Sequence, residues 1–91
     1  MPEVHFTVQL PDGQTRQCYS PSTIVHQYFQ RGDELTLESF VARSREALEE
    51  ASERVRAKYG FACSSAAMQI SAIESFTKPF PPDSLVRILS I

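Results

Sequence analysis

Two cations, a thiol and two hydroxyls fall close together at Arg54, Lys58, Cys63, Ser64 and Ser65. They lie in the run Arg54-Val55-Arg56-Ala57-Lys58-Tyr59-Gly60-Phe61-Ala62-Cys63-Ser64-Ser65. Cations end one helix there, and a second helix starts a few residues later. A helix start offers unpaired backbone N–H groups, a capping hydroxyl and here a thiol. Such an end binds anions and lowers a thiol pKa. The expected chemistry is the holding of a small anion or carboxylate. The same residues also read as helix capping plus a buried structural Cys63, with Tyr59 and Phe61 as core packing. A nucleophilic Cys63 would need a base, and His26 is the one interior candidate.

Other chemistries find no support in the spacing. His5 and His26 are far apart, and neither lies within ligand spacing of Cys18 or Cys63, so no metal site is expected. His5 is expected on the solvated face of an outer strand. The three glycines, at 13, 32 and 60, each suit a turn or a helix stop, so no phosphate loop is read. No Gly-x-Ser-x-Gly element occurs. No catalytic residue, metal or cofactor is therefore assigned, and the chain is not expected to be an enzyme. Residues 31–58 hold thirteen of the twenty charged side chains, six basic and seven acidic. Interleaved glutamates would repel phosphate, so nucleic acid is a poor partner. The charges read as a solvated helix face or as a docking surface for another protein.

Periodicity gives the strands and helices on which these side chains are carried. Val4 to Leu10 alternates, with Phe6, Val8 and Leu10 on one side and His5, Thr7 and Gln9 on the other. Pro11-Asp12-Gly13 is turn chemistry, and Thr15 to Ser20 returns as a second strand. Residues 22–29 fit a short helix, capped by Ser20 with Pro21 in its first turn, or a strand. A long helix is expected over 36–59. Thr36 caps it, Glu38 lies in its first turn, and its stripe is Leu37, Phe40, Val41, Ser44, Leu48, Ala51, Val55 and Tyr59. Arg45–Glu49 and Glu50–Arg54 are its i,i+4 pairs, and Gly60 stops it.

A second helix follows, capped by Cys63 or Ser64. Ala66, Ala67, Ile70, Ile73 and Phe76 or Thr77 are on its buried side, and Pro79 closes it. Ser84 to Ile91 is a last strand with apolar residues on both faces. It should lie between neighbours or against a partner chain. The predicted fold is α+β. A small antiparallel sheet, made of the N-terminal hairpin plus the C-terminal strand, is covered on one face by a two-helix hairpin, in the order β-β-(α)-α-α-β.

Ninety-one residues, 42% hydrophobic and 22% charged, make one globular domain over 1–91. A net charge of −2 carries no whole-surface basic footprint for nucleic acid. No apolar run approaches the roughly 20 residues of a membrane span. Met1-Pro2-Glu3-Val4-His5 shows no basic stretch followed by an apolar one. A cytoplasmic setting with reduced Cys18 and Cys63 is therefore expected. A homodimer would bury leftover apolar surface on so small a domain.

Several of these runs together resemble a family. They are Arg43-Ser44-Arg45-Glu46-Ala47-Leu48, Ala51 through Ala66, Pro11-Asp12-Gly13, Cys18-Tyr19-Ser20-Pro21-Ser22 and Tyr28-Phe29-x-x-Gly32. The chain is similar to small bacterial nitrogen-starvation-response proteins. The likeness spans most of the chain and departs at Leu35, where the family carries an aromatic, and from Phe76 onward. It implies a gene cluster with a nitrilase, a radical-SAM enzyme, an acyltransferase and a flavoprotein, and it brings no catalytic residues. The function it favours is a non-catalytic accessory or regulatory protein that binds a protein partner, one of the cluster's enzymes. The alternative is a small-molecule binder, with its anion site at the 54–65 helix junction.

Overall fold

The computed structural model describes residues 3–60 and 64–91. It is an α+β fold in which a four-stranded antiparallel sheet carries two long helices on one face. Strand β1 is Val4–Gln9 and β2 is Thr15–Ser20, joined as a hairpin. Pro11 sets the first turn residue. The Asp12 carboxylate accepts the Gln14 N–H at 3.0 Å, and Gly13 takes φ 90°. Leu10 exchanges bonds with Gly13 and Gln14 across the loop. This is the three-residue hairpin loop that ends in a left-handed residue.

Residues 22–29 resolve to helix, in the tighter 3₁₀ form over Thr23–Gln27. Its cap is Ser22, not Ser20. Ser22 Oγ accepts the Ile24 N–H, while Ser20 Oγ donates to the Ser22 carbonyl. These buried serines explain the Ser20-Pro21-Ser22 run as a folded corner. Short hydroxyl side chains satisfy the backbone there.

A fourth strand, β3 (Glu34–Thr36), is absent from the sequence reading. It pairs with β4 (Leu85–Ser90), which also pairs with β1, so the strand order is β2-β1-β4-β3. The Gly32 turn feeds it: Gly32 N–H donates to Ile88 C=O and Ile88 N–H to Asp33 C=O, both at 2.8 Å. Strand β1 is thus interior rather than outer, with exposed His5 on its open face.

Helix α1 is Leu37–Tyr59. Its first N–H groups have partners outside the helix. Ser39 N–H donates to Thr36 Oγ1, Leu37 N–H to Ser84 C=O and Glu38 N–H to Pro82 C=O. The proline-rich connector is therefore shaped to close the start of α1. Gly60, at φ 85°, ends the helix in the left-handed conformation. Helix α2 is Ser64–Thr77 and packs antiparallel to α1. Ala47, Ala51 and Ala66 are buried and allow a close approach, whereas Ala67 is exposed. Arg45 bridges the helices to Glu74 at 2.7 Å and also meets Glu49 at 3.7 Å.

The core gathers Phe6, Val8, Phe29, Phe40, Leu48, Ile73, Val86 and Ile88. Phe29 joins the layers, with ring centroids 5.7 Å from Phe6 and 5.6 Å from Phe40. The other sheet face is open. Leu85 and Leu89 of β4 are exposed on it, so the two-sided apolar pattern of this strand meets solvent on one side. No described helix is long and apolar enough to cross a membrane.

Candidate functional site: the free end of the helical hairpin

Helix α1 outruns its cover. Twenty-three residues span about 34 Å, against about 20 Å for a six-residue strand. Its last buried residue is Ala51. Beyond that point Val55 is half-buried, and Arg54, Arg56, Ala57, Lys58 and Tyr59 are exposed. The apolar stripe therefore continues past the body it packs on. Tyr59, expected in the core, is 51% exposed. On α2, Met68 is 72% exposed.

The predicted site residues divide as follows. Arg54 and Lys58 both lie on this uncovered end of α1, and Ser64 and Ser65 open α2 as exposed residues. Cys63, Phe61 and the connection between the helices lie outside the described residues. The Lys58 ammonium sits 5.4 Å from the centre of the Tyr59 ring, and Arg56 meets Glu53 at 3.3 Å. Arg54 makes no ion pair among the described residues. The expected Glu50–Arg54 pair is not formed; Glu50 instead accepts the Tyr28 hydroxyl at 2.6 Å. His26 is exposed on the 3₁₀ helix and is not an interior base.

The end of the hairpin also differs in charge from the rest. Arg54, Arg56 and Lys58 against Glu53 leave +2 over residues 53–73, while the whole chain carries −2. Cations beside exposed Tyr59 make a surface of the interface type. Met68 is opposite Ala66, Ile70, Ile73 and Thr77 around α2, so it stands on that helix's outer face.

The thiol that the structure does place is inert. Cys18 is buried in β2, and burial pushes it up to about 12. Among the described residues, no group of three His, Cys, Asp or Glu side chains could hold a metal ion.

No curated protein and no solved structure matches the chain. A family model described as nitrogen starvation-induced protein NitG matches residues 5–91, and so includes the stretch from Phe76 onward. The chain therefore belongs to the nitrogen starvation-induced NitG family.

Proposed function

We propose that this chain is a non-catalytic accessory protein of the nitrogen-starvation response that binds a protein partner through the free end of its α1–α2 hairpin. One observation carries the reading. The end of α1 runs past the core and presents exposed Tyr59 beside Lys58, with Arg54 and Arg56 on the same turns, while Met68 stands exposed on the outer face of α2. Exposed apolar side chains on two adjacent helices, one of which also carries three cations, suit a partner with an apolar depression bordered by carboxylates. Methionine adapts to such a depression at low cost in specific shape. Family membership supplies the physiological setting. The first partners to test are enzymes encoded beside members of such a family, a nitrilase foremost.

The test is direct binding of each purified cluster enzyme to this protein on a sensor surface. One enzyme should bind, with affinity falling as salt rises. Met68→Ser with Arg54→Glu should weaken it at least tenfold, about the loss of one central contact. Absence of binding by every enzyme, or binding untouched by the double substitution, contradicts the proposal.

A further inference from the structure

The ladder between β1 and β4 stops one rung short. Its last pair is Gln9↔Arg87. The same register carried on sets Pro11 opposite Leu85, and proline has no N–H to give. Ile88 uses both of its backbone groups on the β3 side, with Asp33 and Gly32, and the Ser84 carbonyl also turns that way to Leu37. Alternation along an antiparallel strand then turns the N–H and C=O of Leu85 toward β1. There they meet a cleft of about 310 Å³, walled by Leu10, Pro11 and Gly13 on one side and by Leu85 and Val86 on the other. The Glu34–Arg87 ion pair, at 2.9 Å, lines the same cleft one rung away. Leu85 is 50% exposed.

We propose that this cleft binds the first residue of an extended chain: a free α-amine followed by a carbonyl, laid against Leu85 as the missing rung. The proposed rung continues the antiparallel pairing that ends at Gln9↔Arg87, and β1 already fills the rungs before it. An occupant in that direction begins in the cleft. Its amine donates to Leu85 C=O, and its carbonyl accepts from Leu85 N–H. Glu34, one of whose oxygens is held by Arg87, provides the carboxylate that a free ammonium needs. The side chain of that residue stands beside Leu85 on the open face, so an apolar one fits best. Two sources share this chemistry, a peptide N-terminus and a free amino acid.

The test is amide chemical-shift titration of the whole protein with the dipeptide Leu-Ala, its N-acetylated form and L-leucine. Leu-Ala should shift the amides of Gly13, Leu85 and Val86. Acetylation should abolish the effect, and Glu34→Gln should weaken binding by roughly fivefold while leaving the spectrum folded. L-Leucine binding as tightly as Leu-Ala assigns the site to free amino acids, and weaker binding assigns it to peptide N-termini. Equal binding of the acetylated dipeptide, or no shift at these amides with either free amine, overturns the proposal. The site is remote in sequence from the hairpin end, so Met68→Ser should leave this titration unchanged.

Discussion

Tyr28 donates its phenolic hydrogen to Glu50 Oε2 over 2.6 Å and so ties the end of the 3₁₀ helix to the middle of α1. The accepting carboxylate, with desolvation and the nearby charges of Glu46 and Glu50, pushes this phenol up to about 12 from its usual 10.0. The fold therefore favours the neutral phenol. Its contribution to stability is whole below the unfolded value and disappears as pH climbs through about 12. Tyr28→Phe should be less stable than the parent at about pH 8, and the gap should narrow by about pH 11. Urea unfolding of both proteins at the two pH values measures this. A gap that stays constant contradicts it.

Cys18 offers a second reading of the same alkaline range. Burial alone raises its thiol from 9.0 to about 12, because the thiolate would lie in the apolar core. Native protein at about pH 8 should leave Cys18 unlabelled by iodoacetamide, and urea should expose it. Peptide mapping separates it from Cys63. Rapid native labelling at position 18 would show that the sulfur is not held as described.

Ser44 is 2% exposed on the core side of α1, and its hydroxyl has no hydrogen-bond partner among the described residues. A buried, unpaired hydroxyl costs about 1–3 kcal/mol, and alanine is the better helix former. Ser44→Ala should raise unfolding free energy by about 1 kcal/mol with an unchanged denaturant slope. A loss of similar size would mean that the hydroxyl has a partner.

Phe40 and Met68 should behave as opposites. Phe40 is fully buried and touches the Phe29 ring, so Phe40→Ala should cost about 3–5 kcal/mol, a large share of the stability of a domain this size. Met68→Ser removes exposed apolar surface and should change stability by less than about 0.5 kcal/mol. Thermal unfolding of the two variants distinguishes them. Comparable losses would place Met68 in packing.

Most of the architecture was legible because its signals are local. Pro11-Asp12-Gly13 announces its turn, Thr36 and Gly60 bracket α1, and the alternation in β1 sorts core from solvent. What escaped depends on distant partners. Glu34-Leu35-Thr36 is too short to show a period, and it is a strand because Leu85–Arg87, some fifty residues later, pair with it. The Ser20 or Ser22 choice of cap turns on a buried corner. At the candidate site, the placing of Arg54 and Lys58 in the last turns of α1 and of Ser64 and Ser65 at the start of α2 was readable from the helix signals. The exposure of Tyr59 was not, because periodicity continues after the covering layer has stopped.

In the proposed function, the hairpin end is the surface that a partner grips. A photo-crosslinking amino acid placed at Met68, and separately at Gln17 on exposed strand β2, tests it in nitrogen-starved cells. Position 68 should give a discrete adduct with one cluster enzyme, identified by mass spectrometry and lost when Arg54 and Lys58 are reversed in charge, and position 17 should give none. The same enzyme captured equally from position 17, or no adduct from position 68, would contradict the account.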